Sequence, residues 1–494
     1  MHNIIDRMKR FPMMVCALAI LASCTHGDIV ITGMLDEEIT IYPDYKEVTI
    51  PLNIAPLNFS IADSSEHRLI IKGKESQLQV CSEDGLFDIP EKRWKELLNE
   101  NAAGELELTV AKEIDGAWKG YQPFKMYVAK DPIDPFIAYR LLARSNDMWN
   151  RMGIYQRNLE NYKQTAIYEN NLTDYNCINC HTFASGNPKQ MIFHMRGNNS
   201  GSVLINGDKV KKLNTKTPVT VSHFVYMYWH PNNRLLATTV CKTFQHFFIN
   251  NPNLLEVMDH QADVVVYDTK DNTIFTTPQL SSKEAWQSFP AFSPDGKSLY
   301  FCSTNAVDSI EKNFKQTNYS LCRIDFDAEK MRFGNEVDTL YNGKENRKSA
   351  SFPRISPDGK YLAFTLQEYG GFGVWHRDAD LYMVRLSDGE IYPLDEINSE
   401  DGDSYHSWSQ NSHWLVFSSR RLDGVYTQPF FTYIDEDGKA HKPFLLPQKN
   451  PVKYYKDMLW SYNIPEFLKE EARIDKHAVM QTMKESKGVN VKAR

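Results

Sequence analysis

The chain repeats itself, and the repeat restricts the fold more than any other feature. Phe289-Pro-Ala-Phe-Ser-Pro-Asp-Gly-Lys-Ser-Leu-Tyr-Phe301 returns as Phe352-Pro-Arg-Ile-Ser-Pro-Asp-Gly-Lys-Tyr-Leu-Ala-Phe364. A weaker copy is Tyr405-His-Ser-Trp-Ser-Gln-Asn-Ser-His-Trp-Leu-Val-Phe417, and another spans 225–237 around Trp229-His-Pro-Asn-Asn233. Each copy reads as strand, tight turn, strand. Proline presets one turn position and Asp-Gly supplies the reversal. Two further strands follow each copy, as at Asp263–Tyr267, Tyr319–Arg323 and Asp380–Val384. Four strands in every block of this spacing describe a propeller blade.

These motifs are similar to the propeller repeats of the TolB type. The resemblance covers residues 177–446 and implies a β-propeller of five to six blades. Five blades are countable, and the strands at 153–168 are candidates for a sixth or for closing the ring. Before it, short apolar runs at Val48–Ile50, Leu69–Ile71, Leu78–Val80, Leu106–Val110 and Phe124–Ala129 predict a β-sandwich-like domain over 24–130. One helix is expected in it, near Glu91–Glu100, started by Pro90. Residues 131–176 read as a connector. Residues 447–494 read as a tail with a helix from Pro465 to Lys484. The fold class expected is therefore all-β, sandwich then propeller, with a short helical tail.

Residues 1–23 have the form of a signal peptide. Arg7, Lys9 and Arg10 precede an apolar run from Phe11 to Ala22, too short to span a bilayer. The run ends in Leu21-Ala-Ser-Cys24, which resembles the bacterial lipobox. That resemblance implies cleavage before Cys24 and lipid on its sulfur, so the membrane is an expected partner through Cys24. The expected location is the bacterial cell envelope, facing the periplasm or the cell surface. The net charge of −7 disfavours a nucleic-acid partner.

The motif richest in chemistry is Cys177-Ile-Asn-Cys180-His181. This CxxCH run resembles the haem-attachment sequence of c-type cytochromes. The resemblance implies haem c held by Cys177 and Cys180, with His181 on the iron. A disulfide with an incidental histidine, a dithiol redox pair and half a zinc site remain alternatives. Small cytochromes c place the motif in a helical domain, whereas here it runs into a repeat copy. Aligning Phe183 with Phe292 puts His181 where Pro290 and Pro353 stand. Candidates for a second axial ligand are His194 and Met195 on the next strand, Met191 on the face of Met195, and His406, the equivalent of His181 in the last countable blade. Phe183, Tyr175 and Phe193 are candidate walls for a haem. Cys302, after Phe301 on a blade strand, reads as a buried, inert thiol, with a Cys302–Cys322 disulfide across the blade as the less favoured alternative.

No GxSxG elbow, HExxH, P-loop or GxGxxG stands out, and too few residues follow the last blade for a hydrolase domain. Two functions follow as expectations. One is a lipid-anchored haem c propeller in electron transfer or redox sensing. The other is a non-enzymatic scaffold binding an envelope protein or a glycan, with a Cys177–Cys180 disulfide.

Overall fold

The computed structural model describes residues 27–143, 151–218, 220–248 and 251–494. The expected signal peptide and Cys24 lie outside the described residues. Among those described, no helix is long and apolar enough to cross a membrane.

Six four-stranded blades surround a channel. The innermost strands of blades 1 to 5 are Cys177–Phe183, Val225–Trp229, Ala285–Phe292, Ser349–Ile355 and Asp403–Trp408. Blade 6 is assembled from both ends of the propeller. Phe136–Ala143, Met152–Asn158 and Gln164–Glu169 form its outer strands, and Trp460–Leu468 pairs antiparallel with the first of them as the innermost strand. The expected connector, 131–176, is thus three strands of a blade. The expected tail helix from Pro465 is likewise corrected: Pro465 lies within the closing strand, and the helix is Lys476–Glu485. Beyond it, Val489–Asn490 and Lys492–Ala493 add parallel strands to the outer edges of blades 1 and 2.

The repeated turns explain why the copies differ. In blade 3 the Ser293 hydroxyl donates to Asp295 and accepts from the Ser298 amide, at 2.6 and 3.0 Å, while Gly296 takes a φ of +71°. Blade 4 repeats this with Ser356, Asp358 and Gly359. Blade 5 keeps the geometry with Ser409 bonding Asn411, and Ser412 at the left-handed position. Asparagine accepts as aspartate does, so the degenerate copy in blade 5 preserves the hydrogen bonds, whereas blade 2 has His230 at the serine position and Asn232 accepts from the Leu235 amide instead.

Each innermost strand also carries a β-bulge with a positive-φ residue: Cys180, Tyr226, Phe289, Phe352, Tyr405 and Ile464. The pairing register breaks there in each blade. Left-handed φ is costly for aromatic residues, so these bulges are specific backbone features rather than slack.

The N-terminal domain has a seven-stranded sheet, with order β-strands 33–38, 117–122, 104–114, 67–72 and 77–82, plus 48–50 and 124–128. A two-stranded sheet and the helix Glu91–Glu100 complete it. Pro90 is that helix's N-cap. The domain shares a core with blade 5, where Tyr45 donates to the Leu445 carbonyl at 3.2 Å and Asn58 to Lys449 at 2.9 Å.

Candidate functional site

The bulges build the channel. Their residues form a waist in which Tyr226, Phe289, Phe352 and Tyr405 stack in sequence, with centroids 4.5, 4.4 and 4.6 Å apart. Phe372 packs beneath them, 5.8–6.1 Å from Tyr405, Phe352 and Tyr226. The Gly370-Gly371 turn permits this approach, since a Cβ on Gly371 would stand 2.8 Å from the Phe289 ring.

On one side of the waist lies a small inner chamber of about 50 Å³, bordered by Cys177, Cys180, Arg140, Arg196 and Asn463. A long hairpin of blade 2 closes over it. Its strands Leu235–Phe247 and Leu255–Asp268 extend beyond the blade, so that Leu255 and Val257 border the chamber. Its end is tied to the far blades. Glu256 accepts from Tyr369 at 2.8 Å and pairs with His376 Nε2 at 2.9 Å. Arg420 donates to the Pro252 carbonyl at 2.8 Å.

On the other side the channel widens into a funnel of about 320 Å³, toward the repeated turns. Its polar tier comes from the residues two after each bulge: Thr182, Tyr228, Ala291, Arg354, Ser407 and Glu466. All but Ala291 line the cavity, with Trp229, Trp408 and Phe467 on its walls. Arg354 lies over the Tyr228 ring at 5.1 Å and donates through Nη1 to the Pro353 carbonyl at 2.8 Å. Nε and Nη2 have no protein partner among the described residues. Burial lowers its pKa, opposed by Tyr228 and Glu466. Glu466 accepts from Thr182 Oγ1 at 3.1 Å and from the Phe183 amide at 3.0 Å. Burial still pushes its carboxyl up to about 7. Glu466 is the one carboxylate among the residues lining the funnel.

The CxxCH residues are placed around this channel, but not as a haem c needs. Cys177 and Cys180 are unbridged and buried. Burial raises both thiol pKa values, against the pull of Arg140 and Arg196. Both sulfur residues border the inner chamber of about 50 Å³, and Cys180 also lines the funnel. His181 borders the funnel and not the chamber. Its ring is 2% exposed, with no partner on either nitrogen, and burial together with Arg140 lowers its pKa to about 3. Attachment needs both sulfurs at one porphyrin edge and the imidazole over the iron. In the folded strand Cys177 borders only the inner chamber and His181 only the funnel, which does not fit that arrangement.

The proposed second ligands are dispersed. His194 faces Ser202 and stacks on His223, centroids 4.9 Å apart. The Met195 sulfur accepts from Thr173 at 3.9 Å within the blade core. His406 pairs with the Ala363 carbonyl at 3.0 Å, and the complete blade 6 separates its blade from blade 1. Met191 and Phe193 are buried core, and Tyr175 is 61% exposed. None of His194, Met195 and His406 lines the channel spaces described. Of the expected walls, Phe183 alone lines the funnel.

No protein-family model matches the chain, and no curated protein matches it. Solved structures similar to it include puromycin hydrolase, with a TM-score of 0.38 and 11% identity over 63% of this chain and 45% of that one. A putative 6-phosphogluconolactonase from Bacteroides fragilis has a TM-score of 0.34 and 12% identity, covering 79% of this chain and 98% of that one. Oligogalacturonate lyase in complex with manganese has a TM-score of 0.25 and 11% identity, covering 58% and 55%. The chain spans less than half the length of the hydrolase. Likeness of this strength says nothing about ligand or activity.

Arg354 and Glu466 were not among the residues singled out by sequence. A signal existed for both. Phe289-Pro-Ala-Phe292, Phe352-Pro-Arg-Ile355 and Ile464-Pro-Glu-Phe467 share one pattern, apolar-Pro-x-apolar, and the variable third position is the funnel tier.

Proposed function

We propose that the protein is a non-enzymatic binding propeller, held in the bacterial envelope by lipid on Cys24, whose funnel receives the end of a glycan. The observation behind the reading is the funnel itself: a blind, aromatic-walled cavity of 320 Å³ with a tier of polar side chains. This is the size and lining of a small-ligand site. Aromatic faces suit the C–H faces of sugar rings, while Ser407, Gln410 and Thr182 suit hydroxyls. Hydrolysis of a glycan by the usual route takes two carboxylates, and Glu466 has no partner carboxylate on the funnel wall.

Trp229 and Trp408 line the cavity and serve as reporters. Titration with a panel of oligosaccharides is expected to change their fluorescence saturably, without chain cleavage. A panel that leaves the emission unchanged would refute the reading. Cys24→Ala is expected to move the protein from the membrane to the soluble fraction.

A further inference from the structure

The polar tier of the funnel is uneven in charge. Four of its six positions are neutral: Thr182, Tyr228, Ala291 and Ser407. Arg354 is the lone cation of the tier and Glu466 the lone acid, and no ion pair joins them. Ser407 occupies the blade between. Glu466 spends its oxygens on Thr182 and the Phe183 amide. Its raised pKa leaves it partly protonated near neutrality. His181 is neutral there as well. The one full charge in the funnel is positive and sits on Arg354, beside a Glu466 that is only partly ionised.

Arg354 is also poised. Its guanidinium is held against the Tyr228 ring, and its strand's backbone is tied to blade 5 by Trp408 Nε1, which donates to the Arg354 carbonyl at 2.9 Å. A guanidinium so fixed keeps its planar fork while leaving Nε and Nη2 free. That edge is matched to two oxygens of a carboxylate. A half-buried cation that no funnel carboxylate pairs with directly is costly, and an anionic ligand would offset the cost.

We propose that the ligand of the funnel is an acidic sugar, with its ring against the aromatic wall and its carboxylate paired to Nε and Nη2 of Arg354. This rests on the glycan reading above and narrows it to carboxylate-bearing saccharides. Arg354 is then the residue that separates acidic from neutral sugars.

The test uses the full folded protein and two probe sets: uronic-acid oligosaccharides, and the corresponding neutral hexose oligosaccharides. Calorimetry is expected to show the acidic set binding at least ~10-fold more tightly, as follows from a lost charge-assisted pair. Arg354→Ala is expected to remove that preference, while Arg354→Lys restores part of it. Melting curves establish that each variant is folded. Should Arg354→Ala not fold, Arg354→Met provides the same comparison. Equal binding of the two sets, unaffected at Arg354, overturns the acidic-sugar proposal and leaves the glycan reading standing. Binding of neither set overturns both.

Discussion

Arg354 of blade 4 lies 5.1 Å over the ring of Tyr228 in blade 2, past the position where blade 3 carries Ala291. The contact reaches across a blade where Ala291 offers only a methyl group to intervene. It holds a cation in a setting that desolvates it, and such a residue contributes little to stability. Arg354→Met is therefore expected to be neutral or to stabilise by about 1 kcal/mol in thermal melts, while ligand affinity falls. A loss of several degrees in melting temperature would show that Arg354 is structural instead.

Glu466 links stability to pH. Its folded-state pKa is raised to about 7 from an ordinary value of 4.5. The native state therefore holds a proton that the unfolded chain releases between those values. Stability falls as pH rises through this window, by at most about 3 kcal/mol, less what cavity water recovers. Glu466→Gln is expected to flatten the decline and to be more stable than the parent at pH 8. Chemical denaturation at pH 5 and pH 8 measures the difference.

Ring closure depends on Trp460–Leu468, which is more than 300 residues away from its partner strand in sequence. Cutting the chain after Met458 removes that strand and exposes the edge of Phe136–Ala143. An open edge and an open core favour association over folding. The shortened chain is expected to aggregate. A cut after Glu470 keeps the strand and loses only the outer helix and edge strands, so it is expected to stay folded with a lower melting point. Gel filtration and circular dichroism distinguish the two.

The propeller was legible because its turns are local. Ser-Pro-Asp-Gly encodes hydrogen bonds within six residues, and they recur where the chain needs the same reversal. The alignment that set His181 against Pro290 and Pro353 agrees with the bulge register in blades 1, 3 and 4. Closure was legible only in part: the strands at 153–168 read as candidates for a sixth blade and belong to it, but Phe136–Ala143 and Trp460–Leu468 did not stand out. The partners of blade 6 are joined by long-range pairing, and Pro465 reads as a helix start unless the apolar-Pro-x-apolar pattern is noticed. The funnel was hidden for a related reason. Arg354 and Glu466 meet the same cavity only once six blades are closed, and periodicity in one strand carries no record of that.

The thiols of Cys177 and Cys180 are both buried beside the small inner chamber, and both have raised pKa values. Thiolate is the reactive form, so a raised pKa and burial both slow alkylation. In the folded protein the pair is expected to resist iodoacetamide, and in denaturant both are expected to react without prior reduction. If the pair were bridged, reaction would require a reductant. Expression alongside a haem-attachment system offers the complementary measurement. With Cys177 at the inner chamber and His181 at the funnel, no Soret band is expected to survive denaturation. A covalent haem band would mean that this strand adopts another arrangement when loaded, with the waist at Tyr226 and Tyr405 displaced to admit a porphyrin.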